Sequence, residues 1–433
     1  MSFSDFDSLE KYLNSLINYE QAFPLGGARD RPKLVPTLNA VDRLGLPLAL
    51  PNCVHIAGTK GKGSVVSYLE CLLSDGHRVL SFSSPHLVTV KERVRLNGRL
   101  LDDEVWQKGF GVITGSLQTE PEIKLTYFEI VWVFYLWATI ELASDVNVVE
   151  AGLGGKWDAT NVLRDTLAVL TLVDYDHMEI LGNTLTEIAT DKSGIIKSHA
   201  RVIIGRQPQE ALDVYLARVT EEHATADVYG RDFDWDAEEA RHFRYEDHEG
   251  YVENLKSAMP GMHQRDNAAV AIRAARRLFP DLPAEGIRRA IAGCMIPGRQ
   301  QLLTGKPDVL VDVAHNPVSF QALGRTLREL FAGRRILGVV GMMKDKDARG
   351  SLEALRGLVN DLLIVELPNP RSAKQAELRD VAESLGFHVE CPATLEAAFE
   401  KLHAASDYKL GLVAGSFYLA GDYLKWRDRA GIA

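Results

Sequence analysis

The chain has 433 residues, 46% of them hydrophobic and 25% charged, which is a globular composition in a chain too long for one ordinary core, so two domains are expected. Its 49 basic and 59 acidic side chains leave a net charge of −10 and no electrostatic footprint for nucleic acid. No apolar run is long enough to span a bilayer, the N-terminus is acidic and aromatic rather than basic and then apolar, and Cys53, Cys71, Cys294 and Cys391 are scattered; a cytoplasmic protein with reduced thiols is expected, without a disulfide framework or zinc site.

In the first half, short apolar runs alternate with helical patterns, which predicts a parallel sheet covered by helices. Cys53–Ala57 reads as a strand, Gly58–Gly63 as a glycine-rich loop, and Ser64–Asp75 as a helix that turns Val65, Leu69, Leu72 and Leu73 inward before Gly76 ends it. Further strands are predicted at 78–82, 146–150, 167–173 and 201–205, and the apolar run Ile130–Ala143 as a buried helix. From about Ala224 to Met262, short alternating stretches rich in aromatic and charged residues predict a small antiparallel β insertion. A helix follows at Asn267–Leu278. After Pro297-Gly298 a fresh α/β series begins, with strands at 309–313, 336–340, 362–365 and 410–414. The expected architecture is an N-terminal P-loop-type parallel-sheet domain with a small β insertion over 1–297, and a C-terminal Rossmann-like α/β domain over 298–433.

The segment Gly58-Thr59-Lys60-Gly61-Lys62-Gly63-Ser64 sits between a predicted strand and a predicted helix. Glycines let backbone N–H groups close around phosphate oxygens, the helix N-terminus adds partial positive charge, Lys62 can neutralise the β/γ-phosphates, and Ser64 can reach a magnesium ion. Gly63 separates the lysine from the hydroxyl residue, which departs from the usual nucleotide loop. Glu150 and His177 follow predicted strands and fall at the carboxyl edge of the sheet, where ligands of open α/β folds gather. By position alone, Lys192 complements a helix macrodipole. Tyr127 and Phe128 are either core residues or stacking partners for a flat heterocycle.

In this form the loop resembles that of the folylpolyglutamate synthases and their relatives, the Mur ligases. Ser83-Ser84-Pro85-His86-Leu87 with Glu92-Arg93-Val94-Arg95, Thr126-Tyr127-Phe128-Glu129, and Glu150-Ala151-Gly152-Leu153-Gly154-Gly155 with Asp158-Ala159-Thr160-Asn161 resemble successive motifs of that family. Asp176-His177, Leu181-Gly182, the Lys192–Lys197 stretch, His263-Gln264 with Asn267-Ala268, Pro297-Gly298-Arg299, Asp312–Pro317 and Gly415-Ser416-Phe417 continue the match in order. The resemblance spans roughly residues 50 to 420.

It implies an ATP-dependent ligase that joins L-glutamate to the carboxylate of a folate-type acceptor, a tetrahydrofolate polyglutamate or a dihydropteroate, through an acyl phosphate. ATP and Mg2+ would be its cofactors. Ser84, Glu150 and His177 would hold magnesium, with Ser64 near it and Lys192 carbamylated to join the metal site. Lys62, Lys192 and His315 would be catalytic. Gly58, Thr59, Gly61, Lys62, Gly63 and Ser64 would bind nucleotide together with Asn267 at the adenine, Arg299 at a phosphate, Asp312 at the ribose and His315 at the reacting phosphate. Arg93, Tyr127, Phe128, Asp158 and Ser416 would contact substrates, Ser416 at the incoming glutamate. The two domains would enclose the site, in a monomer with no nucleic-acid or membrane partner.

A ligase for another carboxylate and a non-catalytic nucleotide-binding paralogue are the alternatives; retention of Lys62, Glu150, His177 and Lys192 together argues against the second. Lys60 and Ser193 depart from residues more frequent in the family, Lys156-Trp157 occupies a variable pair, and the stretch Tyr19–Arg31, where the bifunctional enzymes often carry pterin contacts, matches poorly.

Overall fold

Cys53–Ala57 is apolar but for His55 and buried at every position, the pattern of a parallel strand covered on both faces. The computed structural model describes residues 3–19, 34–238 and 242–432, so most of the poorly matching N-terminal stretch, from residue 20 to 31, lies outside the described residues. The chain divides into two compact units, residues 1–258 with 262–294, and residues 259–261 with 295–433.

The main sheet of the first unit contains β1 (Cys53–Ala57), β2 (Val79–Phe82), β3 (Val94–Leu96), β4 (Arg99–Leu100), β5 (Val146–Glu150), β6 (Leu167–Leu170), β7 (Arg201–Ile204) and β8 (Thr225–Val228), in the order β4-β3-β2-β5-β1-β6-β7-β8. Pairing is parallel from β2 through β8 and antiparallel for the β2–β3 and β3–β4 pairs. Ile56 pairs with Glu150 and Ala57 with Leu170, so the turns after β1, β5 and β6 emerge side by side. β6 ends three residues before the expected limit because the chain turns to serve the glycine loop, with the Leu172 carbonyl accepting from Thr59 N at 2.9 Å and Lys60 N at 3.0 Å.

The buried helix predicted from Ile130 spans Tyr127–Glu141 instead, since Thr126 and Glu129 form a capping box that starts it earlier. It is buried almost all round and stacks Phe134 on Trp106 and Phe110. The predicted β insertion is partly corrected: Thr225–Val228 pairs parallel with β7 in the main sheet. β9 (Phe233–Ala237), β10 (Phe243–Asp247) and β11 (Gly250–Leu255) form a separate antiparallel sheet that turns Phe233, Phe243, Tyr245, Val252 and Leu255 inward. The helix that follows is Met262–Leu278, longer than predicted. Its fully buried Arg273 donates to Asp227 at 2.8 Å and to Asp247 at 3.2 Å, tying main sheet, small sheet and helix together.

The second unit is built on β12 (Gln301–Leu303), β13 (Asp308–Asp312), β14 (Ile336–Val340), β15 (Asp361–Ile364), β16 (His388–Glu390) and β17 (Leu410–Ala414), in the order β12-β13-β17-β14-β15-β16, with only the β12 pairing antiparallel. Asp312, Ala414 and Val340 lie in one register row, so the three following loops share one edge. Two of them touch: Gly415 has φ +129° and its missing Cβ would lie 2.4 Å from the Gly341 carbonyl oxygen. Among the described residues no helix is long and apolar enough to cross a membrane.

Candidate active site

In the first unit the glycine loop opens directly into the helix Lys62–Leu73, with Gly61 as its N-cap at φ +91°. The first N–H groups of such a helix have no intrahelical partner and, with the macrodipole, attract an anion. Two glycines are dictated by crowding as well as by conformation. A Cβ on Gly58 would lie 1.9 Å from Thr171 Oγ1, and one on Gly61 would lie 2.2 Å from Asn267 Oδ1. Asn267 is therefore brought against the loop from its own helix, where its Nδ2 donates to Gln264 at 3.2 Å.

Two lysines converge on one oxygen. Lys62 Nζ donates to the Gly58 carbonyl at 3.2 Å, and Lys192 Nζ donates to the same carbonyl at 2.9 Å. Lys192 is 3% exposed, and burial, reinforced by the charge of Lys62, pushes its pKa down to about 7. Glu150, 4% exposed at the end of β5, has its Oε1 4.0 Å from Lys62 Nζ and accepts from Ser84 N at 3.2 Å. Its other oxygen faces the helix start, 3.6 Å from where a Gly63 side chain would begin. Ser64 is buried in that first helical turn. Among the described residues no three His, Cys, Asp or Glu side chains gather into a metal-holding group. The donors at hand are one carboxylate and the serine hydroxyls, a hard-oxygen set suited to magnesium that keeps several waters or phosphate oxygens.

The remaining first-unit candidates occupy different settings. His177 is the left-handed N-cap of the short helix Met178–Leu181; its side chain is 57% exposed, with Nε2 3.9 Å from Asp176. Lys60 reaches the other oxygen of Asp176 at 3.5 Å. Asp158 is buried and accepts from Leu153 N at 2.8 Å, Thr160 N at 3.0 Å and Thr160 Oγ1 at 2.5 Å, so its carboxylate holds the loop after β5 in shape; burial raises its pKa against those bonds. Arg93 is 1% exposed, donates from Nε to His86 Nδ1 at 2.9 Å and lies over the Tyr127 ring. Phe128 packs on Phe82 and against Gly152, where a Cβ would come within 2.6 Å of the Phe128 ring.

In the second unit, Asp312 ends β13 and accepts from Ala314 N at 2.6 Å and Gln300 N at 2.9 Å. Burial raises its pKa to about 6, with the Arg299 guanidinium pulling the other way. His315 Nδ1 lies 2.9 Å from the Val313 carbonyl, and its ring is 5.8 Å from that of Phe417, over which Arg299 also sits. Ser416 is 2% exposed and caps the helix Phe417–Arg429 by accepting from Leu419 N at 3.0 Å. Arg299, Asp312, His315 and Ser416 thus share the edge onto which the β13 and β17 loops open.

Residues 56–275 match the Mur ligase middle domain, and residues 298–417 match the Mur ligase, glutamate ligase domain. The chain is 34% identical over 388 residues to the dihydrofolate synthase/folylpolyglutamate synthase of Escherichia coli K12, covering 89% of each chain. It is 31% identical to the enzyme of the same name from Bacillus subtilis 168, over 91% of this chain and 95% of that one. The chain belongs to the folylpolyglutamate synthase/dihydrofolate synthase family of Mur ligases. The solved structure of E. coli FolC in complex with DHPP and ADP superposes with a TM-score of 0.86 at 30% identity, covering 99% of both chains.

Membership in this ligase family makes the chain an ATP-dependent amino-acid ligase. Several contacts around the site join motifs whose pairing the sequence does not show. Asp191 accepts from Gly155 N at 3.0 Å, and a Cβ on Gly155 would lie 2.7 Å from the Lys192 carbonyl oxygen, so the glycine-rich turn after β5 seats the end of the lysine's helix. Lys197 donates to Asn161 at 2.7 Å and 2.9 Å and fixes the loop that Asp158 begins. The clustering of glycines at 152, 154 and 155 signals close backbone approach without naming what approaches.

Proposed function

We propose that this ligase uses ATP to join L-glutamate to the carboxylate of a folate-type acceptor through an acyl phosphate. The observation that carries the reading is the Lys62 ammonium on the Gly58 carbonyl at a helix N-terminus, with the buried Lys192 amine on the same oxygen. A cation and a row of helix-start amides at one point are arranged to receive the phosphates of a nucleotide. The names of the relatives support a folate-type acceptor, and the ADP in the E. coli structure supports nucleotide at the loop.

In this reading Gly58, Thr59, Gly61, Lys62, Gly63 and Ser64 bind the nucleotide with Asn267, and Lys62 offsets charge on the transferred phosphoryl group. Glu150, Ser84, Ser64 and His177 would hold Mg2+, which supplies charge neutralisation at the phosphates when bound. Lys192, buried and with its ammonium disfavoured, has the neutral amine that adds to carbon dioxide; loss of a proton then leaves a carbamate anion, which suits a magnesium site as the ammonium does not. In the second unit Arg299 and Asp312 contact phosphate and ribose, His315 stands at the reacting phosphate, and Ser416 meets the incoming glutamate. Arg93, Tyr127 and Phe128 serve the acceptor, while Asp158 contributes by shaping the loop beside it.

The deciding assay follows ADP release by the purified protein with ATP, L-glutamate and a pteroyl acceptor, each omitted in turn. Release should require all three. Release that ignores glutamate, or that reaches the full rate without acceptor, overturns the reading, and a panel of dihydropteroate, tetrahydrofolate and unrelated carboxylates fixes the acceptor.

A further inference from the structure

We infer that Arg95 is a positioning residue that seats the loop between β2 and β3 on the phosphate-loop helix, and so governs acceptor use without touching substrate. The inference rests on the functional reading above, in which Ser84 and Arg93 serve the site.

Glu70 lies two turns along the helix that the glycine loop opens, with its side chain 5% exposed. Arg95 reaches it from β3 by a bidentate bond, Nε to Oε1 at 3.0 Å and Nη2 to Oε2 at 2.8 Å. Ser81 Oγ in β2 donates to the same Oε1 at 2.5 Å, which completes the buried carboxylate's shell. The third nitrogen of Arg95 turns toward the loop: Nη1 donates to Ser83 Oγ at 3.3 Å and to the Glu92 carbonyl at 2.9 Å. Glu92 then gathers the loop through its own carboxylate, accepting from Leu87 N and Val88 N at 2.7 Å and Thr89 N at 2.9 Å.

One guanidinium therefore joins the phosphate helix to both ends of a loop that carries Ser84, bonded to Glu150, and His86, bonded to Arg93. The glycine loop itself is held by other means, through the Leu172 carbonyl, Asp174 and the lysines on Gly58. Removal of Arg95 should consequently shift the acceptor side, and the metal that Ser84 would serve, while leaving metal-free nucleotide binding at the glycine loop alone. Lysine cannot substitute, because a compact ammonium cannot make a bidentate bond and face the loop at once.

The test compares Arg95→Lys, Glu70→Gln and the double variant Glu70→Leu/Arg95→Met, in which an apolar pair replaces the buried charges and restores stability. Acceptor KM should rise at least fivefold in Arg95→Lys, with the ADP dissociation constant in metal-free buffer changed less than twofold. In the double variant the melting temperature should return toward wild type while acceptor KM stays raised. Recovery of KM together with melting temperature would reduce the pair to a stabilising contact and overturn the inference. So would an unchanged acceptor KM in Arg95→Lys, or an equal loss of ADP and acceptor binding. Failure of the functional reading is seen separately, as wild-type protein whose ADP release ignores the acceptor.

Discussion

Lys62 and Lys192 share an acceptor but differ in what replacing them should reveal. Lys62 makes its internal bond to a loop carbonyl and is partly exposed, so Lys62→Ala should fold normally. Loss of a fixed cation at the transferred phosphoryl group should lower the rate of ADP release by roughly 100- to 1,000-fold, as loss of one transition-state donor does elsewhere. Lys192 is the more telling in stability. In carbon-dioxide-free buffer its folded pKa is about 7 against an ordinary 10.5, so between these values the unfolded chain holds a proton the folded chain has released. Stability should rise with pH through that window, and the penalty is fully present below pH 7. Lys192→Met should thus melt higher than the wild type at pH 6, with the gap narrowing by roughly 2–3 kcal/mol at pH 9, at about 1.4 kcal/mol per unit. Melts at the two values check it, and a gap that widens with pH contradicts the buried, desolvated lysine. Lys192→Ala should lose activity that small added carboxylates partly restore.

At the level of elements, the apolar runs that read as strands are strands because both faces of a parallel sheet are covered, and the glycine loop was legible because backbone geometry restricts which residues can make it. Element ends were less so. The helix at Tyr127 starts where Thr126 and Glu129 cap it, a spacing visible in the sequence but overshadowed by the apolar run that follows. The pairings Glu70–Arg95 and Arg273–Asp227 were not legible at all: the partners lie 25 and 46 positions apart, and charged residues in a sequence look solvated until a fold brings them together. Two substitutions separate loop geometry from helix capping. Gly61→Ala meets a left-handed backbone and Asn267 Oδ1 together, so ADP affinity should fall at least tenfold by calorimetric titration. Thr126→Ala removes only a cap; it should cost about 1 kcal/mol in denaturant unfolding and leave ADP affinity unchanged.

Across the whole molecule, each unit carries its own sheet and its own apolar core, so damage to one need not be felt in the other. Arg273→Met tests this, since it takes from Asp227 its guanidinium partner at 2.8 Å and from the fully buried Asp247 side chain one of two, Arg276 remaining at 2.9 Å. Losing one partner of a buried network costs roughly 3–5 kcal/mol. Hydrogen exchange should therefore accelerate in β8, β10 and the helix Met262–Leu278, while β13, β14 and β17 keep their wild-type protection. Equal acceleration in both units would mean that they unfold as one.

The Leu172 carbonyl that receives both Thr59 and Lys60 amides bears on which residues position 60 can hold. Position 60 is engaged through its peptide, and its side chain leaves the loop to meet Asp176 at the rim. What the loop requires there is a main-chain N–H that every residue except proline supplies. Side chains at position 60 are then interchangeable spellings of one hydrogen bond, and proline is the single substitution the loop should refuse.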